Sequence, residues 1–596
     1  MHRGILATAT LVAALTCLVA RGAEERPFRL TVLNAMERIF QHQAAFGKPA
    51  AELCAARNEA ESFQVVVAAL KGNARVTAVE ITDLAGPGGA RIGKDNATIF
   101  REEYARVRMS TPGAELPPGL YPDPLVPVVN PVTGKPIEPL NSYQQRWGEP
   151  HVIRGYDMYA VPFDVFEGQN QPVWIDLRVP KDARPGVYRG TVRVTVRGSR
   201  PAEVPVSLTV WDFVLPDGPT HHNHFGSFGN IVRWFNVKRG SEAYRQIEAR
   251  YCQAMAEHRL NPPIPGHLMP EVKPDGSLRI DPQRHQELKK FIADLHVTDI
   301  EIPRAPFANL PSSTARPDYK DVKPAERAKA QRYYREYYDY LKQNGWEKLA
   351  YVYLLDEPNL KENYEQVLVL GQLAHEAAPG LRLLVVEQTY KQDPTWPDMD
   401  PAVDIWCPLW GFIDRDSIRE KLAHGDDVWS YTALTQRAPR YHPQYEQVKG
   451  KDPPHWHIDW PLSVYRVPTW INRQYGITGL LYWSTVTTVI EPWLNPAFAH
   501  PRHYNGGGYL FYPGAPCGID GPVASMRLKN LRDGMEDYEY FVLLEKRAGA
   551  AAVQKIVDRI APNWWDYARD PQAILAARRD MAEQIVRARQ GSIGAQ

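Results

Sequence analysis

The stretch Tyr351-Val352-Tyr353-Leu354-Leu355-Asp356-Glu357-Pro358 runs five apolar or aromatic residues straight into two acids and a proline. An unbroken run of this kind fits a strand of a parallel sheet, covered on both faces by helices or barrel interior. Proline, with no N–H to give to a ladder, ends it. Seven further apolar runs recur around it, at 223–228, 261–265, 297–303, 381–386, 403–408, 428–433 and 479–483. Stretches of helical periodicity lie between them, among them 241–258, 283–295, 325–343 and 362–378. The alternation predicts a (β/α)8, TIM-type barrel over residues 216–546. In the 325–343 helix, Tyr333, Tyr334, Tyr337, Tyr338 and Leu341 form a stripe suited to packing on a sheet, and Asn344-Gly345 supplies its stop.

Outside the barrel the pattern changes. From 24 to 215 short alternating segments dominate (61–68, 172–180, 188–196, 204–210), separated by turns such as Gly86-Pro87-Gly88-Gly89 and Ala183-Arg184-Pro185-Gly186. No helical period interrupts them, which predicts an N-terminal antiparallel β-sandwich domain. The Pro-rich piece 111–139 reads as an insertion or surface loop, and residues 547–596, rich in Ala and Arg, as a C-terminal helical segment on the barrel's outside. The chain is thus expected to be multidomain, β followed by α/β. Residues 1–23 read as a secretory signal: Met1-His2-Arg3, an apolar core to Ala20, then Gly22 and Ala23 for cleavage. The core is short of the roughly 20 residues a spanning helix needs. Leu15-Thr16 before Cys17 do not match the small residues of a lipoprotein signal. An exported chain, periplasmic or extracellular and without a stable membrane span after signal removal, is expected.

Lys plus Arg number 70 and Asp plus Glu 69, so no overall field draws a polyanion, and nucleic acid is not an expected partner. Behind the signal, Cys54, Cys252, Cys407 and Cys517 show neither a CxxC pair nor metal spacing and read as buried apolar residues, with a single bridge left open. The 16 Trp and 30 Tyr suit the faces of sugar rings, and equally a large core.

Two carboxylates at the carboxyl end of a barrel strand sit where barrel enzymes place their chemistry. Like charges so close raise one pKa, which keeps an acid protonated near neutral pH. Alone, Asp-Glu-Pro is an ordinary polar turn. Other strand ends, however, carry Glu387-Gln388, Trp406 and Trp410, Trp429 and Tyr431, and Tyr482 and Trp483. Aromatics around acids describe a glycan site, although roughly half of them are expected to be packing. The reading makes Asp356 and Glu357 catalytic and Trp406, Trp410, Tyr431, Tyr482, Trp483 and Glu387 substrate-binding, with no metal and no cofactor. A metal hydrolase built on His221-His222-Asn223-His224, with His222 and His224 on one side, lacks a third ligand.

With the acid pair go three further stretches: 56–67 (ARNEAESFQVVV), 507–514 (GGYLFYPG) and 527–540 (RLKNLRDGMEDYEY). Together they resemble glycoside hydrolase family 123, the β-N-acetylgalactosaminidase family with its DUF4091 catalytic domain. The likeness spans most of the mature chain. Residues 484–488 (STVTT) stand where relatives often carry an Asn and a further aromatic, which leaves the sugar open. The 527–540 motif reads as a structural amphipathic helix with Leu528, Leu531, Met535 and Tyr538 inward and its charges outward. The resemblance implies a retaining, exo-acting enzyme. Adjacent acids cannot easily flank one sugar at the separations of about 5 to 9.5 Å that two-carboxylate schemes use. The substrate's 2-acetamido group is therefore the expected nucleophile, with Asp356 orienting it, Glu357 as acid/base, and Tyr431 or Tyr482 on the acetamido oxygen. Alternatives are a retaining enzyme with Glu387 as protein nucleophile and a non-catalytic glycan-binding protein.

Overall fold

From Phe28 to Val214 the alternating runs become two sheets. The computed structural model describes residues 26–593 except 138–158, 227, 308–321, 488, 490 and 499–500, so the predicted signal lies outside the described residues, as do Thr488 and the last part of the Pro-rich piece. One sheet runs in the order Phe28–Asn34, Ala60–Ala69, Asn170–Arg178, Ala97–Val107, Gly119–Pro127. The other runs Ala51–Arg57, Ala202–Val214, Gly186–Val196, Ala74–Ile81, Phe163–Val165. Phe63, Val65, Val67, Val173 and Ile175 of the first share one apolar core with Val76, Val192, Val194, Val204 and Val206 of the second.

Two details differ from the expectation. Ala51–Arg57 pairs with Ala202–Val214 in parallel, so the region is not wholly antiparallel. The Pro-rich piece also supplies a strand, Gly119–Pro127, which the prolines at 122, 124 and 127 confine to the sheet edge.

The second half builds a curled parallel sheet of seven strands, ordered His222–His224, Gly479–Tyr482, Asp427–Thr432, Ile405–Trp406, Arg382–Val386, Ala350–Asp356, Ile300–Ile302. The predicted strand at 261–265 does not form, because Pro262, Pro263 and Pro265 have no N–H to donate. Side chains bridge the gap instead. The Asn261 amide oxygen accepts from the Thr298 N–H at 2.9 Å, its Nδ2 donates to the Asp299 carbonyl at 2.7 Å, and its N–H donates to Asn223 Oδ1 at 2.6 Å. The sheet's two end strands are thereby held together without a ladder.

Helix Pro324–Gln343 follows the Ile300–Ile302 strand and buries Tyr333, Tyr334, Tyr337, Tyr340 and Leu341, while Tyr338 is only half-buried. Helix Lys361–Ala377 covers the next strand, and its Gly371 lies so close to Ala402 that a Cβ would come within 2.4 Å of the Ala402 methyl.

Helix Met526–Ala548 is not amphipathic in the predicted sense. Leu528, Leu531, Met535 and Tyr538 are buried, but so are Arg527, Lys529, Arg532, Asp533, Glu536, Asp537 and Glu539. The helix is wedged between the two-sheet region and the parallel-sheet region, and its charges pair with both. Arg527 meets Asp123 at 3.0 Å, Arg532 and Lys529 meet Asp176 at 2.8 Å, and Asp537 meets Arg466 at 2.8 Å. Helix Pro571–Ile593 adds Arg578, which bonds Glu61 at 3.0 Å and pairs with Glu59, so the C-terminal segment also packs on the two-sheet region. Cys54, Cys252, Cys407 and Cys517 are all free thiols. Among the described residues no helix is long and apolar enough to cross a membrane.

Candidate active site

Asp356 is the last residue of its strand, and the Asp356–Val386 pair closes the ladder with the neighbouring strand. In a continuing strand Glu357 would point to the opposite face. Instead its φ is +43°, in the left-handed region that residues with a Cβ seldom enter. The backbone turns there, and both acids meet tyrosines of one interior cluster. The Tyr353 hydroxyl donates to Asp356 Oδ1 at 2.8 Å, and the Tyr431 hydroxyl donates to Glu357 Oε1 at 2.5 Å. Burial, and the Asp356 charge beside it, push the Glu357 carboxyl above its ordinary range, against the pull of the Tyr431 bond.

Glu387 lies one strand away, 5 % exposed. Its Oε1 accepts from the Tyr364 hydroxyl at 2.9 Å, from Gln392 Nε2 at 3.0 Å and from Gln388 Nε2. Burial outweighs these bonds, and with the charge of Glu357 it pushes the Glu387 carboxyl up to about 8. Beneath the acids, the floor of the sheet is filled by Tyr351, Leu384, Ile405, Cys407, Trp429 and Leu481. Gly479 lies across from the Trp429 ring, where a Cβ would come within 2.3 Å of it.

The other predicted aromatics do not join the acids. Trp406 is buried on the helix side of the sheet, its Nε1 donating to Asp426 at 3.0 Å and its ring 4.6 Å from the Lys421 ammonium. Trp410 is buried and donates to Ser430 Oγ at 2.9 Å. Tyr482 accepts from the Gly508 N–H at 2.8 Å with its ring 4.8 Å from Trp456, and half-buried Trp483 packs 5.0 Å from Phe498. Strand alternation accounts for Tyr482, whose neighbour Leu481 faces the interior with Tyr431; Trp410 lies in a turn off the strands, and Trp483 just past its strand's end.

The histidines are likewise engaged. His222 Nδ1 bonds Asp299 at 2.7 Å and His224 Nδ1 bonds the Tyr351 hydroxyl at 2.7 Å. Tyr353, Tyr364 and Gln392 are site residues the sequence reading missed. Tyr353 was findable, being two positions from interior-facing Tyr351; Tyr364 and Gln392 come from a helix and a loop with no periodic signal.

An acid with a raised pKa beside a second carboxylate, at the carboxyl edge of a curled parallel sheet, is an arrangement that carboxylate-based hydrolases use. The chain belongs to glycoside hydrolase family 123: residues 314–544 match the family's catalytic domain and 129–196 its N-terminal domain. A family 123 glycoside hydrolase from Clostridium perfringens, solved in a study of glycolipid glycan hydrolysis, shares the fold with a TM-score of 0.65 at 13 % identity, over 96 % of this chain and 99 % of its own. A Bacteroides ovatus GH5 xyloglucanase has a TM-score of 0.28 at 10 % identity, over 85 % of this chain and 100 % of its own. A family 39 glycoside hydrolase from Bacteroides cellulosilyticus WH2 has 0.30 at 10 % identity, over 63 % and 75 %. Both are too distant in geometry to carry an argument. No curated protein matches the sequence.

Proposed function

We propose that this glycoside hydrolase is exported and removes terminal β-linked N-acetylgalactosamine from glycans, with retention and with the substrate's own 2-acetamido group as nucleophile. The observation that carries the reading is the adjacency of Asp356 and Glu357, each held by its own tyrosine on one side of the sheet mouth. Two such acids cannot stand on opposite faces of one sugar ring.

Asp356 accepts the acetamido N–H and offsets the positive charge that grows there as the carbonyl oxygen attacks the anomeric carbon. Glu357, its pKa raised by burial, gives its proton to the leaving oxygen. The resulting oxazolinium ion, its N–H still held by Asp356, is opened at the anomeric carbon by a water from which Glu357 takes a proton, restoring the acetamido group and the acid. Tyr431, bonded to Glu357, sets the acid's direction and is the better placed of the two tyrosines expected at the acetamido group, since it lies in the interior cluster beside the acids while the Tyr482 ring packs on Trp456 outside that cluster.

A panel of aryl glycosides of N-acetylgalactosamine, N-acetylglucosamine and galactose tests this. Cleavage confined to acetamido sugars and inhibition by a thiazoline mimic of the oxazoline are expected. Equal cleavage of galactosides, untouched by the thiazoline, would favour Glu387 as a protein nucleophile. Glycan retention without released reducing ends would favour a binding protein.

A further inference from the structure

The acid/base role leaves open how Glu357 is kept in a left-handed backbone. The chain around it is tied at three points. Its N–H donates to the Val386 carbonyl at 3.2 Å, carrying the ladder one step past Asp356. Its own carbonyl accepts from Asn359 Nδ2 at 2.7 Å. The next carbonyl, of Pro358, accepts from Gln392 Nε2 at 3.2 Å, and the same amide lies 3.3 Å from Asn359 Oδ1 and 3.0 Å from Glu387 Oε1. One side-chain amide thus spans from the acid-bearing turn to a buried carboxyl on the neighbouring strand.

We propose that Glu387 and Gln392 are positioning residues of the reaction: Glu387 is a neutral acid that anchors the Gln392 amide, and Gln392 holds the Pro358 carbonyl so that Glu357 keeps its aim. The inference rests on the reading of Glu357 as acid/base. Its geometric support is that the Gln392 amide reaches both the Pro358 carbonyl and Glu387 Oε1. The three donors on Oε1 favour the ionised form, but burial outweighs them and no Lys or Arg among the described residues pairs with Glu387. The titratable groups bearing on it from the surrounding elements are Glu357 in the turn, Tyr364 in helix Lys361–Ala377, and Tyr390 and Tyr441 in the loops; none is a cation. A buried carboxyl in such company keeps its proton, consistent with its rise to about 8. A nucleophile needs the ionised form and an approach to the anomeric carbon, and Glu387 is more deeply buried than Asp356 or Glu357, which are half-buried.

The test compares the full mature chain with Glu387→Ala, Glu387→Gln and Gln392→Ala, with Glu357→Gln as the inactive reference. Glu387→Ala removes the anchor of the Gln392 amide and should lower kcat at pH 6, while Glu387→Gln, which keeps an acceptor oxygen for the same donors, should restore most of that loss. Gln392→Ala should lower kcat by roughly ten- to a hundredfold with little change in KM, the signature of a displaced catalytic group. A second readout needs no turnover. The folded chain holds a proton on Glu387 that the unfolded chain releases in the ordinary carboxyl range, so the parent loses stability as pH rises from there to about 8. The Tm of Glu387→Gln should therefore gain on the parent between about pH 5 and 8. The proposal is overturned if Glu387→Gln is as inactive as Glu357→Gln and azide restores it as a glycosyl azide, if Gln392→Ala keeps full kcat, or if the Tm difference is flat with pH. If the parent cleaves no acetamido glycoside, the substrate reading fails by itself, and the melting comparison still decides whether Glu387 is neutral.

Discussion

Asp176 and Glu387 are both largely buried carboxyls that accept several hydrogen bonds, and they end in opposite states. Asp176 takes the Ser62 hydroxyl at 2.6 Å, the Lys529 ammonium at 2.8 Å and the Arg532 guanidinium at 2.8 Å. Burial alone would raise it, but Arg532 and Lys529 outweigh burial and hold it well below the usual carboxylate range. Glu387 takes a phenol and two amides, and burial wins. Between these two acids the formal charge of the donors, rather than their number, makes the difference. At Asp176 the cations make the acid a fixed joint between regions, whereas at Glu536 in helix Met526–Ala548 burial still wins over Arg259 and Arg532 and pushes the carboxyl up to about 7. At the sheet mouth, where no Lys or Arg among the described residues pairs with Asp356, Glu357 or Glu387, acids are free to hold and pass a proton.

The largest effect should come from the mouth. Glu357→Gln keeps the size and the Tyr431 contact but removes the transferable proton, so turnover of a substrate with a poor leaving group should fall by about 10²- to 10⁴-fold. Initial rates on an N-acetylgalactosaminide measure it, and a wild-type rate would erase the contrast between the two regions. In the joint the loss should be of stability instead. Asp176→Ala strands the Lys529 ammonium as a buried cation and leaves Arg532 to Asp533, a change that costs about 3–5 kcal/mol in comparable pairs. Urea unfolding should show it, with the kcat of the folded fraction unchanged. A smaller, directional effect sharpens the electrostatic side. The Tyr431 bond pulls the Glu357 pKa down, so Tyr431→Phe should raise it further. The protonated acid then survives to higher pH, and the alkaline limb of kcat/KM should move upward; a downward move would mean that Tyr431 acts on some other group.

The joint and the mouth were not equally legible in the sequence. Continuous apolar runs marked the strands, and the acid pair followed one of them directly, so strand Ala350–Asp356 and its two carboxyls could be read without coordinates. The run at 261–265 failed because three prolines override apolar character. The charged residues of Met526–Ala548 defeated the periodic reading for a different reason: a period assigns charges to solvent, and here Asp123, Asp176 and Arg466, distant in sequence, neutralise them in the interior. Among the aromatics, strand parity was the part hardest to read. Tyr431 and Trp429 face the interior while Trp406 faces the helices, and a two-residue strand such as Ile405–Trp406 is too short for alternation to show.

Trp406 offers the smallest and most discriminating test of that parity. Its ring lies under the Lys421 ammonium, Lys421 also pairs with Asp400, and its N–H is given to Asp426. Trp406→Phe keeps an aromatic face for the cation and loses one hydrogen bond, which is worth about 1 kcal/mol. The expected result is a slightly lower urea midpoint with KM unchanged for every glycoside cleaved. A sugar platform would respond the other way round, because losing part of the stacking face weakens substrate binding while leaving the fold intact. A raised KM at wild-type stability would therefore move Trp406 from the sheet's outer packing to its mouth, and with it the boundary drawn between the scaffold and the site.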